Sequence, residues 1–82
     1  MKIVLTRHAL VRLQERSLAQ EWVERVVRAP DWVEPDPVPG ISRLYGAVPE
    51  AGGRILRVAV ADRRGIRYVL SAHFDRAARR KS

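Results

Sequence analysis

The order of two hydrophobic periodicities limits the fold of this 82-residue chain more than any other feature of its sequence. Up to Pro30 the apolar residues recur at helical spacing, and after Gly40 they alternate with polar residues as in a half-buried strand. Helices followed by a run of antiparallel strands form an α+β domain. We therefore predict one domain over residues 1–82, with two N-terminal helices packed on one face of a small antiparallel sheet and a short C-terminal helix.

The first predicted helix lies near residues 7–16. Thr6 is a candidate N-cap, because its hydroxyl can accept a hydrogen bond from an amide of the first turn. The apolar residues have the spacing of one buried face: Ala9, Leu10 and Leu13. His8, Arg12 and Arg16 are four residues apart and line up along another side. Because three neighbouring cations repel one another, this row predicts an anionic neighbour, either protein carboxylates or a phosphate.

The second predicted helix lies near residues 18–29 and ends before Pro30, which has no amide proton to donate. Ser17, with Gln20 three residues later, forms a weak capping box at its start. Its apolar row consists of Leu18, Trp22 and Val26, with Val23 and Val27 beside it. The other face has acidic residues four positions before basic ones, which is typical of a solvent-exposed face.

The second half of the chain predicts three main strands: 41–48, 54–62 and 66–73. The last two are joined by a hairpin at residues 63–65, where Gly65 can adopt positive φ. Residues 2–5 and 31–34 are candidate short strands, and Pro35 favours an edge position for the second of them.

Regular alternation assigns a side of the sheet to each strand residue. In the last strand it separates Ile66, Tyr68, Leu70 and Ala72 from Arg67, Val69, Ser71 and His73. If the first group faces the helices, Arg57 and Arg67 lie together on the uncovered side. The predicted core is Leu10, Leu13, Trp22, Val26, Leu56, Val58, Val60, Tyr68 and Leu70.

The charge balance favours a polyanionic partner, and we expect that partner to be RNA. The chain has 16 basic and 9 acidic residues, a formal charge of +7, and arginine at every basic position except Lys2 and Lys81. The planar guanidinium binds phosphate through two hydrogen bonds and stacks on bases, although a GC-rich genome also enriches a protein in arginine. Asp75 can cap the predicted C-terminal helix, whose basic residues are Arg76, Arg79, Arg80 and Lys81.

The composition also excludes several kinds of site. A chain without cysteine has no disulfide, no thiolate metal site and no cysteine nucleophile, and two histidines cannot build a metal site unaided, so we expect no metal and no cofactor. The apolar residues 1–5 are too few for a signal peptide or a membrane span, so we expect a cytoplasmic protein without a membrane partner. A domain this small would gain stability from a bound partner or from forming a homodimer.

A longer pattern resembles the domain-of-unknown-function family numbered 4258. It reads Thr6-x-His8-Ala9-Leu10-x-Arg12-x-x-x-Arg16, then the apolar residues of the second helix and the Ala29-Pro30 stop. The segment 70–76 is similar to the closing strand of that family. Where the family usually has Gly, a capping Ser or Thr, and Met, this chain has Ser17, Ala19 and Leu13.

Proteins of this type are similar to the RelE and BrnT toxins, whose fold is two helices against a small antiparallel sheet. The resemblance therefore implies a toxin-like domain of a toxin–antitoxin pair, which cleaves free or ribosome-associated mRNA and is neutralised by a small antitoxin protein.

Metal-independent RNA cleavage needs a base for the 2′-hydroxyl, cations around the phosphate and an acid for the leaving oxygen. His8 and His73 are the residues whose ordinary pKa suits both proton-transfer roles near neutral pH. We predict that His8, Arg12 and His73 converge on one surface as the catalytic site. The arginines predicted to bind RNA are Arg16, Arg57, Arg67, Arg76, Arg79 and Arg80, and the residues that can stack on a base are Tyr45 and Tyr68.

A structural role for the same side chains stays open at this point. A histidine in the first turn of a helix often bonds a carbonyl or a carboxylate, and Arg12 and Arg16 can pair with Glu15 or another acid. The alternative function is a non-catalytic module that binds RNA or a protein. A histidine close to an arginine cluster in an open groove favours the nuclease, whereas two histidines buried against carboxylates favour the binding module.

Overall fold

The computed structural model describes residues 1–80 and contains helices and strands in the predicted order. The elements are β1 (Lys2–Leu5), α1 (Arg7–Glu15), α2 (Gln20–Arg28), β2 (Trp32–Pro35), β3 (Ile41–Val48), β4 (Arg54–Arg63) and β5 (Ile66–Phe74), with a 3₁₀ turn at Pro49–Ala51. The prediction of an α+β chain is confirmed. Lys81, which was assigned to the C-terminal helix, lies outside the described residues.

The strands of the described chain form one five-stranded sheet in the order β1-β5-β4-β3-β2. β1 runs parallel to β5, and the other neighbours are antiparallel. The predicted antiparallel pairing of the three main strands is confirmed, whereas the sheet as a whole is mixed and not antiparallel. Parallel neighbours need a crossover connection rather than a hairpin, and here the intervening chain, which includes both helices, supplies it. β2 lies at a sheet edge, as Pro35 predicted.

A β-bulge in β5 decides which of its side chains reach the core. Ala59 pairs with Ser71, but the next residue, Val60, pairs with Val69, so Leu70 has no partner on β4. One extra residue reverses the alternation along the strand. Val69 is therefore fully buried with the core, whereas the prediction that Tyr68 and Leu70 belong to the core is wrong.

Both helices contribute to one hydrophobic core, with α1 against β5 and α2 against β3 and β4. Its buried residues are Ala9, Leu13, Leu18, Val23, Val26, Val27, Leu44, Val48, Leu56, Val58, Val60, Val69 and Ala72. Trp22 packs against it, partly buried. Leu10 was predicted to be buried but is 45% exposed, because the inward stripe of α1 contains only Ala9 and Leu13.

Thr6 caps α1 and also ties it to the sheet. Its hydroxyl oxygen accepts a hydrogen bond from the Ala9 amide at 3.1 Å, as predicted, and donates one to the carbonyl of Val69 at 3.0 Å. Its own amide donates to the same carbonyl at 3.1 Å. The start of α1 is thus fixed to β5 at the residue next to the bulge.

Ser17 ends α1 rather than starting α2. Its φ of 54° is left-handed, the Leu18 amide donates to the Leu13 carbonyl, and the Ser17 amide donates to the Gln14 carbonyl. These two bonds form a Schellman motif, in which glycine is the usual left-handed residue. The N-cap of α2 is Ala19, which makes no side-chain capping bond, so the predicted capping box is wrong.

The predicted C-terminal helix is not formed over the described residues, which end at Arg80. Asp75 does cap a single turn, because its carboxylate accepts a hydrogen bond from the Ala77 amide at 2.9 Å and its carbonyl accepts one from the Ala78 amide at 3.3 Å. The helix does not continue beyond this turn. Arg76 and Arg79 are therefore presented from a turn and not along a helix.

Replacing Ser17 by glycine should increase the free energy of unfolding by about 0.5–1 kcal/mol, because glycine adopts the left-handed conformation without the Cβ clash. The gain is smaller than the full strain, since glycine also has more freedom in the unfolded chain. Urea unfolding of Ser17→Gly and Ser17→Ala measures the difference. If the alanine variant were as stable as the glycine variant, the left-handed position would not be strained.

Replacing Gly46 by alanine should lower the free energy of unfolding by about 1–3 kcal/mol, because overpacking a core is destabilising. A Cβ atom at this position would lie 2.9 Å from Cγ2 of Val26, where α2 crosses β3. The matched test is a double-mutant cycle with Val26→Ala. The alanine at position 46 should cost less once Val26 is shortened, and equal costs in both backgrounds would contradict the contact.

Candidate functional site

A row of four paired side chains crosses the face of the sheet that points away from the core. Trp32 on β2 pairs with Tyr45 on β3, which pairs with Arg57 on β4, which pairs with His73 on β5. Arg57 alternates along β4 with buried Leu56 and Val58, and this alternation places the row on the outer face. Cross-strand pairing thus brings residues that are far apart in sequence into one line.

The aromatic end of the row is packed and not free. The Trp32 and Tyr45 rings are stacked, with centroids 4.7 Å apart and an interplanar angle of 3°, and Trp32 Nε1 donates to Glu34 at 3.0 Å. Tyr45 is only 3% exposed. Tyr45 therefore cannot stack on a base without local rearrangement, whereas Tyr68 is half-buried on the outer face.

The other end of the row contains a connected group of three side chains. Nη2 of Arg57 lies 2.9 Å from Nε2 of His73, and Nη1 of Arg57 lies 3.3 Å from the Asp75 carboxylate. A guanidinium can only donate hydrogen bonds, so Nε2 must accept in this contact. His73 is therefore a neutral imidazole with its proton on Nδ1, and Arg57 is held between it and Asp75.

The surroundings of His73 favour this neutral form. Partial burial lowers the pKa of His73 most, and the positive charges of Arg57 and Arg16 lower it further, against the opposing effect of Asp75. A neutral histidine in reach of two cations can accept a proton near a bound anion. This is the combination that a general base beside a phosphate needs.

Arg16 reaches this site from the end of α1. Its Nη1 donates to the carbonyl of Ala72 at 2.7 Å, directly before His73 in the chain. The sequence analysis left a carboxylate open as the partner of Arg16, but the hydrogen bond that Arg16 makes is to the backbone carbonyl of Ala72. Helix α1 therefore bonds β5 at both of its ends, through Thr6 and through Arg16.

The family model for the domain of unknown function DUF4258 matches residues 5–74. The chain belongs to this family. No curated protein and no solved structure matches it. The matched range contains the His73–Arg57 contact and the row on α1, whereas Asp75 and the arginines of the C-terminal turn lie beyond it. Neither helix within residues 1–80 has the length and apolar character needed to cross a bilayer.

In this DUF4258 domain, His8 and Arg12 form a second, exposed group on α1. Nε of Arg12 donates to Nε2 of His8 at 3.4 Å, and Nη1 of Arg12 pairs with Glu15 at 2.9 Å. Glu15 is thus the anionic neighbour that the row of cations predicted. Across the described chain, no hydrogen bond or ion pair joins His8 or Arg12 to His73. The convergence of all three residues stays a prediction.

The bulge in β5 separates Arg67 from Arg57. Arg67 lies beyond Leu70, so it follows the reversed alternation and lines a cavity of about 350 Å³ with Val27 and Arg28 of α2. Both of its nitrogens Nε and Nη2 bond the Asp62 carboxylate, at 2.7 and 2.8 Å. The prediction that Arg57 and Arg67 share the outer face is therefore wrong.

A different arginine of the DUF4258 domain was missed by the sequence. Arg54 lies with Arg76 and Arg79 around a cavity of about 240 Å³ at the end of the sheet. Arg54 stands at the start of β4, and nothing in the sequence near it indicates that it lies beside Arg76 and Arg79. The three arginines meet because of where β5 ends and the chain turns. Arg80, also predicted to bind RNA, is exposed next to this group.

The lowered pKa of His73 predicts a pH-dependent stability. Between the folded pKa and the ordinary value of 6.5 the unfolded chain binds more protons, so stability is fully present above about pH 6.5 and decreases as the pH falls below it. His73→Gln should remove this decrease, whereas the exposed-site control His8→Gln should keep it. Urea unfolding between about pH 5 and 8 measures the slope. An unchanged slope in His73→Gln would contradict the prediction.

Proposed function

We propose that this chain is a cytoplasmic RNA-binding and RNA-cleaving domain of the RelE/BrnT toxin type. In this proposal both helices cover one face of the sheet, and RNA lies over the outer face at the His73 end of the row. The observation that carries the proposal is the 2.9 Å contact of His73 Nε2 with Nη2 of Arg57, at a histidine whose pKa is lowered by partial burial and by the charges of Arg57 and Arg16. A histidine beside arginines at an accessible strand end fits phosphate chemistry better than a purely structural role.

The proposed reaction is transphosphorylation within the RNA. His73 removes the proton of a 2′-hydroxyl, the 2′-oxygen forms a bond to the neighbouring phosphorus, and the bond to the 5′-oxygen breaks. Arg57 and Arg16 stabilise the negative charge that grows on the phosphoryl oxygens. The 5′-oxygen needs a proton, and His8 is the proposed donor if it reaches the same surface.

Arg57 has to exchange partners before His73 can act as a base. In the free protein the lone pair on Nε2 accepts from Nη2 of Arg57, so it is not available to a hydroxyl. A phosphate is a stronger acceptor than a neutral imidazole, because the hydrogen bond is then charge-assisted on both sides. RNA binding would draw the guanidinium to the phosphate and release the lone pair.

The second candidate function is a non-catalytic module that binds RNA or a small antitoxin protein, alone or as a homodimer. It is favoured by the bonding of Arg57 and Arg43, each of which is paired with a carboxylate, Asp75 and Asp36. The Asp36 contact is well formed: a hydrogen bond from the Val38 amide, then Arg43, lowers the pKa of that carboxyl. Such a network can serve binding without any proton transfer.

Cleavage of a labelled single-stranded RNA in the presence of a metal chelator tests the first candidate. His73→Ala should lower the rate by about 10²–10⁴-fold, the usual contribution of a general acid or base, while the melting temperature stays near that of the unmodified chain. His8→Ala tests convergence separately. If His8→Ala lowers the cleavage rate about as much as His73→Ala does, both histidines act in one reaction. If His8→Ala leaves the rate unchanged, catalysis is limited to the His73 site on β5.

Equal cleavage by the original chain and by His73→Ala would contradict the role of His73 as the general base. RNA binding without any cleavage by the original chain would instead support the second candidate.

RNA binding itself should weaken steeply with salt, because bound cations of the RNA are released on binding. Contact with four to five phosphates predicts a slope of about −3 to −3.5 in a plot of log affinity against log salt concentration. Fluorescence anisotropy with a short labelled strand measures this slope. Binding that does not change with salt, or no binding at low salt, would contradict both RNA-based candidates.

A further inference from the structure

The cavity at the end of the sheet is bordered by arginines as well as by apolar residues such as Ile55 and Phe74. Its volume is about 240 Å³, and the residues that line it include Arg54, Arg76 and Arg79. Pockets for drug-sized molecules are usually larger. A small cavity bordered by three arginines has room for a compact anion such as a phosphate.

Within residues 1–80, the three arginines of this cavity form no ion pair with an acidic residue. In the part of the chain that the structure describes, the arginines in ion pairs are Arg12, Arg25, Arg43, Arg57 and Arg67. Asp75 also borders the cavity, but its carboxylate is bonded by Arg57 and by the Ala77 amide. The cavity therefore has uncompensated positive charge, which favours an anionic ligand.

Local contacts hold Arg54 in place. The guanidinium carbon of Arg54 lies 4.0 Å from the centroid of the Phe74 ring, and its Nε donates to the Ala51 carbonyl at 3.3 Å. The Phe74 ring in turn packs on Trp22 of α2, with centroids 6.3 Å apart. A cation above an aromatic ring that is itself fixed by the core has less freedom than an ordinary surface arginine.

Asp75 connects this cavity to the His73 site. Its carboxylate contacts Arg57, which touches His73, and it also accepts the bond that forms the turn between Arg76 and Arg79. A ligand in the cavity and a ligand at His73 would therefore be neighbours, one on each side of this residue. Two adjacent anionic groups on one flexible chain are what a nucleic acid strand provides.

We infer that the Arg54–Arg76–Arg79 cavity binds the RNA phosphate next to the one that lies beside His73 and Arg57. This inference rests on the proposed function, and it adds Arg54 as a residue that positions the strand. Planar guanidinium donors around one concave site suit the non-bridging oxygens of a phosphate. A flat acidic protein surface would instead be matched by arginines spread over a plane.

The test compares RNA dinucleotides that differ by one phosphate. Each dinucleotide has a 2′-deoxy sugar before its internal phosphate, so it cannot be cleaved, and it carries either no terminal phosphate, a 5′-phosphate or a 3′-phosphate. The added phosphate at one of the two ends should tighten binding to the original chain about tenfold, as expected for hydrogen bonds to a charged group. Affinities are measured by NMR titration.

Arg54→Gln should lose this gain, and Arg79→Gln should lose it as well. Arg63→Gln is the matched control, because it removes the same charge from the opposite end of the same strand, β4. Arg63→Gln should keep the full gain. A thermal melt of each variant verifies that it is folded, and two independent cavity variants keep the test valid if one of them is not.

The outcomes separate the subsite from the function. The phosphate subsite would be contradicted if neither terminal phosphate increased the affinity, or if Arg63→Gln lost the increase as fully as the cavity variants. RNA binding by the original chain would in that case still support the proposed function. If the dinucleotides do not bind at all, the proposed RNA-binding function is contradicted. The cavity is then tested alone by adding inorganic phosphate and following the NMR signal of the Arg54 Nε–H. Inorganic phosphate that binds as tightly as the phosphorylated dinucleotide would indicate a free-phosphate site. Arg54-dependent binding of an acidic peptide, without binding of phosphate, would assign the cavity to a protein partner.

Discussion

The extra residue in β5, Leu70, is the feature on which the arrangement of the other groups depends. On one side of it, Ala72 faces the core while His73 lies on the outer face beside Arg57. On the other side, Val69 is the inward residue, and Arg67 is directed to the face of α2. Without the bulge, regular alternation would place Val69 on the side that holds His73 and would turn Leu70 towards the core in its place.

Helix α1 is bonded to β5 on both sides of this bulge. Thr6 bonds the carbonyl of Val69 through both its hydroxyl and its amide, and Arg16 bonds the carbonyl of Ala72. β1 pairs with β5 only as far as Val69, so backbone groups of β5 on that side need other partners from there on. The hydrogen bond from Arg16 to the Ala72 carbonyl also brings a second cation close to His73. This contact therefore contributes both to the fold and to the candidate site.

The positive charge of the chain is unevenly distributed over the structure. Arginines on the sheet faces are mostly paired with nearby acids, including Arg43 with Asp36, Arg57 with Asp75 and Arg67 with Asp62. The net charge of +7 is therefore contributed largely by arginines outside these pairs, such as those around the cavity at the end of the sheet. Total charge alone does not show this difference, because paired and unpaired arginines count equally in the sequence.

The helices and strands could be predicted from the amino-acid sequence, since helical and alternating spacing are local properties of the chain. The sequence located both helices to within a few residues, the capping role of Thr6, the edge position of β2 and the buried alternation of Leu56, Val58 and Val60. It also named His73 and Arg57, because their residue types suit phosphate chemistry. Their direct contact, however, depends on the pairing of β4 with β5.

The parallel pairing of β1, the bulge at Leu70 and the resulting separation of Arg57 from Arg67 became visible only in the folded chain. The structure also shows that Leu10 is exposed and that Arg54 joins the arginines of the C-terminal turn. These features depend on which strands become neighbours and in which register, and no single segment contains that information. A shift of one residue in one strand reverses the side of every side chain beyond it.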